Sequence, residues 1–385
     1  MNSREKFNVV MEFKNGMPVP KVEFAYWADT IRNWENRGLP SKKNIPEQIL
    51  GSESLRATKP LSSEYSTKVD ESVMDYFKLD SFVEKFPYDI SPLLDKKIIE
   101  EDKEKIIYKD EFGIKNKILK NNPGIPMVLE YPIKDKKSLN EYISFYDDVF
   151  EKRLPKDFDK LAGVLKKRDF PIRLGGNPFG FSFLARHLMG EVKFMMSMYD
   201  DPSLIKEFNA FYLDFVMRYW DEILKKIDVD CVFIIEDIAY RSGSFISRDM
   251  FKEFMSPFYI RFIDYLKQYG IKNIFVDCDG LIYELIPLWV EVGVTGLFPL
   301  EAVNDIEIIR EKYPDLRLMG GFNKKVLFKD SNIRSIDAEL EKTKRMLKKG
   351  RYIPHIDHAV SEDVTWEFFK YYREKLNKLC DMGSY

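Results

Sequence analysis

The sequence predicts an α/β fold, a (β/α)8 TIM-type barrel carrying an irregular N-terminal extension. Two observations predict it. Short apolar runs alternate with helical patterns over the later two thirds of the chain, as buried parallel strands and their covering helices do. Five consecutive runs also end in acids, histidines or paired glycines. The run 232–235 ends in Glu236 and Asp237, and 274–276 ends in Asp277, Cys278 and Asp279. The run 297–300 ends in Glu301, 316–319 in Gly320 and Gly321, and 352–354 in His355, Asp357 and His358. In a β/α barrel the strand carboxyl ends converge on one mouth, and chemistry is built there.

Residues 1–385 read as a single barrel domain, with 1–125 as its extension. The run 22–27 is a plausible first strand, and a short helix follows, stopped by Gly38 and Pro40. Residues 105–108 and 114–119 flank Asp110, Glu111, Phe112 and Gly113. They predict a hairpin near 104–119, with the turn at Gly113. Its charge suits a solvated surface ribbon, or a flap beside the mouth. Runs 126–129 and 171–174 are further strand candidates, the second opening into Gly175, Gly176, Asn177, Pro178, Phe179 and Gly180. Residues 183–190 read as helical. Asp201 and Pro202 start the clearest helix, with Asp as N-cap and Pro in the first turn. Leu204, Ile205, Phe208, Phe211, Tyr212, Phe215, Tyr219 and Ile223 form its core stripe. Ser247 caps the next helix, and Asn304 with Glu307 resembles a capping box.

Composition narrows the function. The chain holds 61 basic and 63 acidic residues, a net charge of −2, which argues against phosphate-driven nucleic-acid binding. Its three cysteines, Cys231, Cys278 and Cys380, are far apart and suit a reducing cytoplasm. The N-terminus lacks the apolar core of a signal peptide, and no run approaches a membrane span. Only three histidines occur, and two of them, His355 and His358, follow one strand.

From Tyr26 onward the chain resembles the uroporphyrinogen decarboxylase superfamily, and within it the branch of corrinoid-dependent methyltransferases. The matching segments are 27–40 (WADTIRNWENRGLP), 186–202 (RHLMGEVKFMMSMYDDP), 275–280 (FVDCDG), 296–301 (GLFPLE), 319–325 (MGGFNKK) and 350–364 (GRYIPHIDHAVSEDV). The resemblance implies a β/α barrel with its site at the strand carboxyl ends. Two departures refine it. The decarboxylases carry an Arg-Gln-Ala-Gly-Arg segment that cradles the tetrapyrrole, whereas this chain reads Phe24, Ala25, Tyr26, Trp27, Ala28 and Asp29. Porphyrin decarboxylation is therefore not expected. The zinc methyltransferases use a His-x-Cys-Gly element and a distant Cys. Aligned on Gly280, Asp277 takes the His position, Asp279 the Cys position, and the distant Cys falls at about His358.

The resemblance thus implies zinc, held by Asp279, His358 and Glu301, or by Glu236 in place of Glu301. Glu236, Asp277 and Glu301 are the candidate catalytic acids. Tyr26, Trp27, Asn177, Phe179, Gly321 and His355 are the candidate substrate-binding residues. An oxygen and nitrogen ligand set makes zinc a hard Lewis acid, suited to polarising an ether or amine. The expected reaction moves a methyl group from a small methylated donor to a corrinoid (cobalamin) carried by a partner protein. A metal-free decarboxylase of a small acid, or a methylcorrinoid-to-thiol methyltransferase, are the alternatives.

Overall fold

The computed structural model describes residues 1–14, 16–40, 54–55, 71–146 and 149–383. The rest of the N-terminal extension lies outside them. Eleven strands position the site. β1 is Glu84–Lys85. A ribbon follows: β2 Lys97–Glu101, β3 Lys105–Lys109, β4 Lys115–Leu119 and β5 Asn122–Glu130. Then come β6 Ile172–Gly175, β7 Cys231–Ile235, β8 Ile274–Asp277, β9 Gly296–Leu300, β10 Arg317–Phe322 and β11 Tyr352–Ile356.

Seven of these form one curled parallel sheet in the order β11-β10-β9-β8-β7-β6-β1. β7, β9 and β11 are buried along their whole length, as strands covered on both faces must be. The concave side is filled by rings. Phe298 lies 4.5 Å from Phe233, 5.3 Å from Phe24 and 5.4 Å from Phe82, centroid to centroid. Beyond β11, the 22–27 segment runs beside the free edge. Val360 donates to the Ala25 carbonyl and accepts from the Trp27 N–H, and Tyr26 bridges Val360 in parallel. The Glu23 carboxylate takes the Ile356 N–H at 3.0 Å, the Tyr372 hydroxyl at 2.7 Å and the Arg373 guanidinium at 2.7 Å. All of these polar groups are buried, and each needs the others to offset lost hydration.

Helices pack around the sheet, and the first lies against the amino ends of β6, β7 and β10. α1, Ser3–Met11, was not foreseen from sequence; Asn2 and Glu5 form its capping box. α2 is Phe183–Met189 and α3 is Pro202–Leu224. The Asp201 carboxylate accepts the Leu204 N–H at the start of α3, and the expected apolar stripe is buried except for Phe211, which is half-buried. Ser247 caps the following helix through the Met250 N–H. Asn304 does not cap the helix at 306–312; Asp305 does, through Glu307 N–H. Asn304 instead bonds Ile282 N–H and the Gly280 carbonyl, tying two rim loops together.

The ribbon enlarges the predicted hairpin. β3 and β4 pair as expected, around a turn where Asp110 accepts the Phe112 and Ile114 N–H groups. They are the middle of a four-stranded antiparallel sheet, and 126–129 belongs to it and not to the parallel sheet. Phe112 at the turn packs 5.6 Å from the His187 ring on α2. The ribbon thus ends against a helix that lines the site.

Candidate active site

Asp277, Asp279, Glu301 and His358 come from three strand ends and meet at one rim. β8 and β7 are in register, so that Asp277 lies opposite Ile235 and the two strands leave the sheet side by side. His358 Nε2 lies 3.6 Å from Asp279 Oδ1. Glu301 Oε2 accepts the Gly280 N–H at 2.7 Å, which draws the loop after β8 toward the end of β9. Gly280 has φ +87, and a Cβ there would meet the Ala239 and Tyr240 carbonyls at 2.8 Å. Only glycine lets these loops approach so closely.

Asp237 is the acid that sequence reasoning passed over. Its carboxylate accepts the Asp279 N–H at 3.3 Å. Single carboxylate oxygens of Asp237, Asp277 and Asp279 all lie within 4.8 Å of one another. Burial and the neighbouring Asp279 raise the Asp237 pKa to about 6. Burial and Glu301 raise that of Asp279 to about 6 as well, although its side chain is 49% exposed. Burial pushes Asp357 up too, while its oxygens accept the Ala302 and Lys324 N–H groups. Burial and the Lys324 charge lower the pKa of His358, so its ring is neutral and its lone pair available.

Glu236 is placed differently from expectation. It is fully buried, and its carboxylate is saturated by four donors. These are Phe181 N–H at 3.2 Å, Ser182 N–H at 2.8 Å, Ser182 hydroxyl at 2.6 Å and Tyr259 hydroxyl at 2.6 Å. Burial pushes its pKa up, and those donors pull it back. It fastens the 177–182 loop beneath the rim and leaves no lone pair for a ligand. Asp237 follows it with φ +45, a left-handed conformation that turns the next carboxylate away.

Four proposed substrate contacts need correction. Tyr26 is fully buried against Trp34 and Phe369. Phe179 is fully buried against Trp220 and Phe262. Both are core. A Cβ on Gly321 would lie 2.8 Å from Ile306, so that glycine admits a helix and not a ligand. His355 is fully buried between the Phe82 and Phe298 rings; its Nδ1 lies 2.7 Å from the Ile356 carbonyl, and burial lowers its pKa to about 4. It is a neutral core histidine below the rim. Trp27 keeps partial exposure, and Asn177 is exposed, its carbonyl held by the Lys85 ammonium at 2.8 Å.

The donor set fits a divalent ion. Two ligands about 2.0–2.1 Å from a tetrahedral zinc stand roughly 3.3 Å apart, close to the Asp279–His358 separation. Cys278 brings no thiolate. It is buried, its sulfur accepts the Ile238 N–H at 3.4 Å, and burial with Asp237 nearby holds its thiol well above the usual range.

Among the described residues no helix is long and apolar enough to cross a membrane. No curated protein matches this chain. Among solved structures, xylanase B from Clostridium stercorarium F9 is similar over 55% of this chain and 74% of its own, at 15% identity and a TM-score of 0.30. Nothing is drawn from so low a score. The family model for uroporphyrinogen decarboxylase (URO-D) matches residues 106–378. That span takes in the eight strands β4 to β11, most of β3 and every rim acid named above, and the chain belongs to the URO-D family.

Proposed function

We propose that this chain is a corrinoid-dependent methyltransferase. It takes a methyl group from a small ether or amine and passes it to the corrinoid of a partner protein. We read the fold as a closed barrel in which the 22–27 segment serves as the eighth strand. The observation that carries the reading is the neutral His358 imidazole 3.6 Å from Asp279, which is one of three carboxylates that converge within 4.8 Å. Carboxylates massed in one place are costly, and a cation offsets that cost.

Asp279 and His358 would hold zinc, with Glu301 beside them. Bound zinc supplies Lewis acidity toward the donor oxygen or nitrogen. Asp237, whose carboxylate accepts the Asp279 N–H, is placed to deliver a proton from its carboxyl to the departing oxygen or nitrogen. Glu236 positions the loop and the turn that carries Asp237. The basic cradle that a many-carboxylate tetrapyrrole requires is missing from 24–29, and a rim of acids repels such a substrate.

The test mixes zinc-loaded protein, a Co(I) corrinoid and a panel of methyl ethers and methylamines, and follows the cobalt absorbance. We expect a methyl-cobalt spectrum with at least one donor. Release of CO2 from a small acid by metal-free protein, with no donor methylating cobalt, would overturn the reading.

A further inference from the structure

Lys324 stands among the acids of the rim. It opens the short 3-10 turn Lys324–Leu327, two residues past the end of β10. Its backbone N–H donates to Asp357 Oδ1 at 3.2 Å. Its ammonium reaches the carbonyl of Ala359, the residue after His358, at 3.5 Å. That is a long contact to a neutral acceptor. No ion pair within 4.0 Å holds this ammonium among the described residues, although its charge acts on Asp279, Asp357 and His358 alike. A lysine locked in place would show a short bond to one carboxylate. Lys324 is a charge on a long stem, and it shares its field among several rim groups.

We infer that Lys324 is a built-in counter-cation of the rim, which neutralises the acids while no metal is bound and is displaced outward when a divalent ion binds. The inference rests on the metal reading above. A dication and an ammonium in one small rim repel each other, and the lysine can leave because its one direct partner is weak. Lys324 therefore sets the metal affinity. It keeps the site from taking up ions too tightly, and it keeps the metal-free acids from repelling one another.

The test is titration of the apoprotein with Co(II), whose visible bands report coordination, and with zinc in competition. It uses the parent protein, K324M and K324R. Neither substitution alters the backbone bond to Asp357. K324M should bind at least about tenfold more tightly than the parent, as expected for removal of a unit charge from a half-buried dication site. K324R keeps the charge and should stay within about threefold of the parent, as that same argument requires. Metal-free K324M should melt below the parent, and saturating zinc should raise its melting temperature by the larger amount. Equal or weaker binding by K324M, with the parent binding normally, would overturn the inference and leave the metal reading standing. Absence of binding by all three proteins would overturn both.

Discussion

β7 has an aspartate at each end, and the two lead opposite lives. Asp230, just before the strand, is surrounded by donors. Arg168 reaches it at 2.6 Å, Arg4 at 2.8 Å and the Ile172 N–H at 2.8 Å. Both Asp230 and Arg168 are almost wholly buried, with side chains 3% and 1% exposed. Asp237, just past the strand, faces Asp279 and Asp277, and among the described residues its carboxylate takes a single hydrogen bond, the 3.3 Å contact from Asp279 N–H. The same residue type is held as a carboxylate where cations satisfy it and has its pKa pushed up where burial and like charges crowd it. An acid whose charge is completed by the chain has no need of a ligand. An acid left among other acids raises its pKa or recruits a cation.

The contrast breaks most visibly at Asp230. Asp230→Ala strands two arginines, one of them buried, and should cost about 3–5 kcal/mol in chemical denaturation. A loss below about 1 kcal/mol would make Asp230 no more structural than Asp237, against the penalty expected for a broken buried pair.

Glu236→Gln sharpens the comparison within one dipeptide. An amide cannot accept from all four donors, so a cost of about 1–3 kcal/mol is expected. Metal affinity should change far less than it does in Asp279→Asn. If Glu236→Gln abolished metal binding while remaining folded, Glu236 would be a ligand and not a support.

The pH dependence is the subtlest effect. Asp237 and Asp279 titrate near 6 in the folded protein and near 3.9 when unfolded. Between those values the folded state binds the extra protons. These two groups therefore make the metal-free protein less stable as pH rises from about 4 to about 6, and above that the penalty is complete. His358 and His355 act in the opposite sense, since their lowered pKa values cost stability below about 6.5. Subtracting the melting profile of Asp237→Asn from that of the parent isolates the carboxylates. The difference should be largest above pH 6 and shrink toward pH 4. A flat difference would mean that Asp237 is not repelled by its neighbours.

Much of this was legible in the sequence, and the gaps have physical causes. Buried parallel strands write themselves as apolar runs, so the ends carrying Asp277, Glu301 and His358 were visible. Asp201 and Pro202 announced a helix because a cap and a proline act locally. Glu236 and Asp237 could not be told apart. Strand alternation assigns sides only while the backbone stays extended, and Asp237 leaves it with φ +45. Tyr26 and Phe179 were misassigned to the pocket because an aromatic at a strand end looks the same in sequence whether it faces a ligand or packs on Trp34 or Trp220. The outer ribbon strand β2 stayed hidden because it is exposed along its whole length and carries no alternation of burial, whereas 126–129 was legible as a strand but not as part of the ribbon. Lys324 was visible but mute. Its meaning lies in its distance to Ala359, which is 35 residues away in sequence.

The central claim is that the rim acids with His358 form a metal site while their neighbours form scaffold. The most direct measurement is Co(II) and zinc binding to the parent protein, Asp279→Asn, His358→Ala and Cys278→Ser. The account predicts one ion per chain in the parent and in Cys278→Ser. It predicts a loss of about 100-fold or more in the other two, more than the 10–100-fold typical of groups that only orient a ligand, with folding intact. Full affinity in His358→Ala, or loss of the ion in Cys278→Ser with its retention in Asp279→Asn, would contradict it.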